Sequence, residues 1–317
     1  MPGGESTRSW TGRIRHDSDN PVATMNRIRS FRTLEPYLYL LPTIAGLILF
    51  SAGAVAASFS MSFSRWDIVT SPQWVWFDNY TQLWHSDLFW QVFWNTLTFV
   101  VLAVPLSVSA SLALALLVNT RLRGITLFRT AYFMPVVSSM IAVALVWSWI
   151  FNADYGLLNY LLRVLFGVRG PAWLDSTAWA LPAMVVVTVW RGLGYSMVIF
   201  LAGLQNIPQE LYHAATIDGA GVWRKFRHIT LPMLSPTTFF ILVITFINSF
   251  QVFEQTYVLT KGGPANATLT LSYLIYQDAF QFFQMGKAAA LSYILFALIF
   301  VVTLLQFRIQ RRWVFYG

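Results

Sequence analysis

Apolar residues fall into six long blocks along the chain, separated by polar or mixed connections. Each block supplies the about 20 mostly apolar residues that a helix needs to cross the hydrocarbon core of a bilayer. The blocks run from about Tyr37 to Phe63, Phe93 to Val118, Thr130 to Phe151, Ala178 to Leu204, Met233 to Leu259 and Ala288 to Phe307. The pattern predicts an all-α fold, a polytopic membrane protein with six transmembrane helices over residues 37–317. Residues 1–36 form a basic tail, polar and bearing Gly, Ser and Arg, and are expected to be largely disordered. About 36 residues precede the first block, and its apolar run is too long for a cleavable signal peptide.

Composition sharpens this class. Of the 317 residues 56% are hydrophobic and only 11% charged, against about 25% charged in an ordinary soluble domain. Aromatic residues reach 17%, with 14 Trp and 26 Phe, which excludes a disordered chain. The net charge of +8, from 21 Lys and Arg against 13 Asp and Glu, could suggest nucleic acid, so its placement matters. Fifteen of the basic residues fall on one side of the six blocks. They are Arg8, Arg13, Arg15, Arg27, Arg29 and Arg32 in the tail, Arg121, Arg123 and Arg129, Arg224, Lys225 and Arg227, and Arg308, Arg311 and Arg312. The positive-inside bias puts that side, and both termini, in the cytoplasm, and no nucleic-acid partner is needed. The absence of cysteine excludes disulfides, Cys-based zinc sites and Cys nucleophiles.

The segment from Arg65 to Trp94 carries six tryptophans, Trp66, Trp74, Trp76, Trp84, Trp90 and Trp94. Indole rings favour the membrane–water boundary, so an interfacial helix on the lipid of the outer leaflet is expected here. Chemistry is harder to find. No phosphate-cradling G-x-x-x-x-G-K-[ST] loop occurs, and Lys261-Gly262-Gly263-Pro264 lacks its spacing. The four histidines, His16, His85, His213 and His228, are scattered, and Asp17-Ser18-Asp19 lies in the tail. No metal site or nucleophile–base–acid set emerges. The chain reads as a conduit rather than a catalyst.

The most informative connection spans residues 205–232, between the fourth and fifth blocks. Asn206 is a candidate cap and Pro208 a candidate first helical residue. Leu211, Ala214, Ala215 and Asp218 recur at helical spacing, and Gly219 can end that helix in a left-handed conformation. A second short helix would carry Trp223, Phe226 and Arg227 until Pro232 stops it. Two short helices joined at a glycine make a compact knob suited to docking.

This stretch resembles the "EAA" coupling motif of ABC importer permeases, in the form found in carbohydrate importers of the maltose and glycerol-3-phosphate type. The matching residues are Ala214, Ala215, Asp218, Gly219, Ala220, Trp223, Phe226, Ile229, Leu231 and Pro232, and His213 stands where the name-giving Glu is usual. Tyr257-Val258-Leu259-Thr260-Lys261-Gly262-Gly263-Pro264 resembles a second motif of sugar permeases, and Gly286-Lys287-Ala288-Ala289-Ala290 opens the last block in their style. The resemblance implies a type I importer permease fold in a bacterial or archaeal cell membrane. It also implies a second permease subunit, a cytoplasmic ATPase dimer that binds the ATP and Mg, and an extracytoplasmic solute-binding protein. This chain would hold no cofactor.

Polar groups inside spans are costly and are functional candidates by default. The fifth block offers Asn248, Gln251 and Gln255 at spacings that stack on one helix face, with Glu254 beside it. The fourth offers Thr188, Trp190, Arg191, Gly192 and Tyr195. Amides, a phenol and an indole suit a hydroxyl-rich ligand, although Asn248 and Gln251 could equally glue helices together. Arg191 could pair with Glu254 or meet a charged solute. Competing classes are a membrane-embedded transferase, with acidic pairs at span ends, and a self-contained secondary transporter, with broken helices or inverted repeats.

Overall fold

A computed structural model describes residues 37, 39–120 and 124–315. The expectations for the tail, with its six arginines and Asp17-Ser18-Asp19, and for Arg121 and Arg123 lie outside those residues. The chain divides into two compact units, residues 1–57 and 58–317. In the first, the described residues are helical and include most of α1 (Tyr39–Ser62), with a π-helical stretch over Leu47–Ala52. No residue in the apolar window of α1 is buried. So much exposed apolar surface suits a helix solvated by lipid or by another protein.

The second unit carries the rest. Strands β1 (Ser64–Arg65) and β2 (Gln73–Trp74) lead into α2 (Asp78–Trp84), α3 (Asp87–Val118), α4 (Ile125–Val137), α5 (Met140–Ile150) and α6 (Leu157–Phe166). There follow α7 (Ala180–Gln205), α8 (Gln209–Ile217), α9 (Val222–Met233), α10 (Ser235–Phe250), α11 (Leu271–Tyr276) and α12 (Met285–Gln310).

Among the described residues four helices, α1, α3, α7 and α12, are each long and apolar enough to cross a membrane. The third and fifth blocks are not the straight spans expected. They are bent pairs, α4 with α5 at 102° and α9 with α10 at 64°. In the first pair Pro135 removes a backbone donor, and Ser138 and Ser139 leave the helix with ψ of 143° and 132°. The Ser138 hydroxyl donates to the Met134 carbonyl at 3.1 Å, satisfying one acceptor freed by the break. In the second pair Pro232 does not stop the helix as expected. A π-helical stretch, Phe226–Thr230, absorbs an extra residue just before it, and the bend comes at Leu234.

The segment between α1 and α3 also departs from expectation. The fold is not purely helical: β1 and β2 pair antiparallel, Ser64 opposite Trp74 and Arg65 opposite Gln73. Nor is the Trp-rich stretch one interfacial helix. The Asp67 carboxylate accepts from the Thr70 N–H at 2.8 Å and its hydroxyl at 2.6 Å, so local turn chemistry overrides a helix. Trp90 and Trp94 belong to α3, whose start is fixed by Ser86, its hydroxyl accepting from the Phe89 N–H at 3.3 Å.

Helix α3 is the backbone of the unit. At its hairpin end Phe89, Val92 and Val100 pack with Phe250, Leu271, Leu274 and Leu291. At the other end Ala115 and Val118 pack with Phe200, Leu204, Ile207 and Leu234. Helix α7 meets α4 where Gly194 faces the Tyr132 carbonyl so closely that any side chain there would strike it.

A buried ion pair stands near the hairpin. Asp278 is 2% exposed, and Lys287 Nζ lies 3.2 Å from its Oδ2. Burial raises the Asp278 pKa above its ordinary value by more than the attraction of Lys287 lowers it. A carboxyl raised on folding favours the folded state most below its unfolded pKa of 3.8, and that contribution is lost as pH rises through the folded value. Lys287→Met should push the pKa higher still and destabilise by about 3 kcal/mol at neutral pH, since an unpaired buried charge remains. Thermal unfolding in detergent should show this loss shrinking as pH falls towards about 4, and Asp278→Asn in the same background should abolish that pH dependence.

Candidate functional site

Helices α7 and α10 and the segment after α10 line an open-sided cavity of about 600 Å³, with contributions from α3 and α4. Six of the seven predicted solute-site residues line it: Thr188, Arg191 and Tyr195 from α7, Asn248 from α10, and Gln251 and Glu254 beyond it. Spacings of three and four residues put the α7 group on one face. Trp190 does not line the cavity. Its indole packs edge-on against Trp147 of α5, with ring centroids 5.6 Å apart.

The expected stripe of Asn248, Gln251 and Gln255 on one helix does not form, because α10 ends at Phe250. Gln251 caps it, its N–H donating to the Ile247 carbonyl at 3.2 Å, and helical structure resumes only at Glu254, running into a π turn over Thr256–Thr260. Interrupted backbone at membrane depth is tolerated where it lines a cavity or is held by protein. Here the buried Thr270 hydroxyl donates to the Val252 carbonyl at 2.9 Å, which pins the interruption. All three side chains still face the cavity, from two elements instead of one.

The following motif, Thr260 to Pro264, builds a tight loop. Lys261 and Gly262 have φ of 51° and 85°, and the Thr268 hydroxyl donates to the Gly263 carbonyl at 2.7 Å. Helix α3 holds this loop from outside. Gln91 Nε2 donates to the Ala265 carbonyl at 3.0 Å and Asn95 Nδ2 to the Asn266 carbonyl at 2.7 Å. Thr96 Oγ1 accepts from the Leu271 N–H at 3.0 Å. The loop therefore fixes the far wall of the cavity relative to α3.

Inside the cavity Arg191 Nη1 lies 3.6 Å from Glu254 Oε2, one of the two partners the sequence left open for it. Ser107, Ser196, Thr245 and Ser249 also line it, and sequence reasoning missed them. Their signal was weak: a hydroxyl in an apolar helix often satisfies its own backbone, as Thr188 does by donating to the Met184 carbonyl at 2.9 Å.

At the opposite end, α8 and α9 form the predicted knob. Helix α8 starts after Pro208, while Asn206 closes α7 instead of capping α8. Gly219 has a φ of 73°. The Ala220 N–H donates to the Ala215 carbonyl at 2.8 Å and the Gly219 N–H to the Thr216 carbonyl at 3.1 Å, the two bonds of a Schellman ending. Lys225 Nζ donates to Thr216 Oγ1 at 2.8 Å, and the Tyr212 and Thr230 hydroxyls are 2.9 Å apart, so the two helices are tied together. Their outward side is apolar: Ile217 and Val222 are each 87% exposed and Trp223 69%. The Trp223 and Phe226 rings lie tilted against each other with centroids 5.5 Å apart, and His213, Ala214 and Asp218 lie exposed on α8 and at its end. Ala215, Ala220 and Pro232 are half-buried. Tyr212, Ile229 and Met233 root the knob in the core at the ends of α3 and α7.

Four helices long and apolar enough to cross a membrane, together with two bent pairs, define a polytopic membrane protein, and in its second unit α3, α4, α7 and α10 line a cavity that carries polar side chains. The chain belongs to the family of binding-protein-dependent transport system inner membrane components, which matches residues 89–315. It is 38% identical over 239 residues to the lactose transport system permease protein of Rhizobium radiobacter, covering 74% of this chain and 80% of that protein. It is 34% identical over 285 residues to the sn-glycerol-3-phosphate transport system permease protein of Yersinia pestis, covering 89% and 95%. Among solved structures it is similar to a chain of a bacterial ABC transporter that imports the acidic polysaccharide alginate. That match has 25% identity and a TM-score of 0.78, and covers 90% of this chain and 99% of the other. The chain is thus an inner-membrane transport component and not an enzyme, and the transferase and self-contained transporter readings fall.

Proposed function

We propose that this chain is one of two permease subunits in an ATP-driven importer for a sugar or sugar-like solute. The carrying observation is the cavity. The side chains of Tyr195, Asn248 and Gln251 line it and hold no hydrogen-bond partner among the described residues. Polar side chains that glue helices bond across the interface; these are left open to a hydroxyl-rich ligand. A volume of about 600 Å³ also falls within the about 300–1,000 Å³ of small-molecule sites. The named solutes of the relatives, lactose, sn-glycerol-3-phosphate and alginate, support the carbohydrate class.

Counting each bent pair as one span gives six, with both termini cytoplasmic by the positive-inside bias. The knob then faces the cytoplasm, where the ATPase dimer receives Ile217, Val222 and Trp223. A second permease closes the open side of the cavity, and the binding protein delivers solute at the hairpin end. Helix α9 of the knob and helix α10 of the cavity are the two arms of one bent pair. Movement of the knob on ATP binding, with ATP and Mg held by the ATPase, therefore swings Asn248 and the segment after it. This is rigid-body gating around a fixed core.

Co-purification from native membranes should recover an ATPase subunit and a second permease with this chain. In the reconstituted complex, Asn248→Ala with Gln251→Ala should lower solute uptake and solute-stimulated ATP hydrolysis by about tenfold, the equivalent of about 1.4 kcal/mol. Wild-type values of both would remove the cavity from the transport path.

A further inference from the structure

We infer that the transported solute is an uncharged saccharide, and that Glu254 is the residue that keeps acidic saccharides out. The inference rests on the cavity being the solute site. Its charged lining among the described residues is Arg191 and Glu254, and the rest is hydroxyl, amide and apolar. The two charges face each other at 3.6 Å, too far for a tight hydrogen bond, with side chains 31% and 58% exposed. Arg191 Nε is buried and has no hydrogen-bond partner among the described residues. The pair is therefore neutral as a unit but keeps free donors on the guanidinium and free acceptors on the carboxylate. A saccharide hydroxyl both donates and accepts, and can engage both without disturbing the charge balance.

An anion meets different physics. A lone guanidinium in a partly buried cavity is a ready bidentate site for carboxylate, sulfonate or phosphate. With Glu254 beside it, an incoming anion must displace a carboxylate that the chain itself keeps tethered there, and then suffer its repulsion. The relatives are named for neutral lactose, anionic sn-glycerol-3-phosphate and acidic alginate, so similarity leaves the charge class open. The Arg191–Glu254 pair decides it.

The test uses the complete importer in lipid nanodiscs without its binding protein, probed by saturation-transfer NMR with maltotriose and with trigalacturonate. Wild type should give a maltotriose signal and an at least about tenfold weaker trigalacturonate signal. Glu254→Gln should raise the trigalacturonate signal about tenfold, Glu254→Asp should leave it low, and Arg191→Gln with Glu254→Gln should return it to background. Co-purification of the ATPase with each variant reports assembly. Equal binding of the acid by wild type, no gain in Glu254→Gln, or no signal from either probe overturns the inference. If the uptake loss of the Asn248 and Gln251 variant stands while this fails, the importer reading survives and only the charge class is wrong.

Discussion

A Gly219→Val chain should assemble with its partners and hydrolyse ATP, yet transport at least about tenfold less solute. Gly219 sits at φ 73° with nothing within 4 Å of where its Cβ would be. Space is therefore not the obstacle; backbone conformation is. A β-branched residue in the left-handed region costs roughly 1–2 kcal/mol, and the Schellman ending between Ala215 and Ala220 depends on that region. The cheapest escape is to rotate the chain at residue 219, which re-aims Val222 and Trp223 relative to Ile217. Those three make up the most exposed apolar patch of the knob, so a docking partner would find its contacts misaligned. The bonds from Lys225 and Tyr212 and the rooted residues Ile229 and Met233 should keep α9 in place, so insertion and assembly survive. A graded series separates geometry from bulk. Gly219→Asn, whose residue tolerates the left-handed region, should stay near wild type, and Gly219→Ala should fall between. Uptake and solute-stimulated ATP hydrolysis in proteoliposomes read both, and equal transport by Asn and Val variants would detach the turn from coupling.

Sequence reasoning located this turn because its determinant is local: a glycine at the end of an apolar–small pattern has few other uses. The same holds for α3, α7 and α12, whose long apolar runs need no partner to be recognised. It also grouped Thr188, Arg191, Tyr195, Asn248, Gln251 and Glu254, since polar residues are conspicuous in apolar blocks. It failed where the outcome depends on a tertiary bond. The end of α10 at Phe250 is set by Thr270, twenty residues downstream, bonding the Val252 carbonyl. The break after Val137 turns on two serines that read as ordinary small polar residues, and the widening before Pro232 defeated a rule that proline ends helices. Trp190 was grouped with the cavity by its neighbours in sequence, but the position next to Arg191 on a helix points elsewhere, to Trp147.

The second large effect is expected at Gly286, where Gly286→Val should destabilise the protein by about 3 kcal/mol, the upper end for overpacking. Gly286 is the second residue of α12. A Cβ there would fall on the Ser64 carbonyl oxygen, with the Ser64 carbonyl carbon at 2.9 Å and Asn79 Nδ2 at 3.2 Å. Neither neighbour can yield cheaply. Asn79 is buried, and its amide donates to the Ser62 carbonyl at 2.8 Å and the Ser64 carbonyl at 3.0 Å, holding the β1 backbone rigid. One residue earlier the Met285 N–H donates to the Trp66 carbonyl at 2.9 Å, so α12 cannot slide away without losing that bond as well. Gly286→Ala should already cost about 1–2 kcal/mol, with Val worse, both read as lower melting temperatures in detergent. Gly221→Ala is the control: its φ is −70° and nothing lies within 4 Å of the added carbon, so it should melt as wild type. The glycine that looked like part of a family signature is thus required by contact between the hairpin and the last helix. A Val variant melting with wild type would show that α12 does not rest on β1.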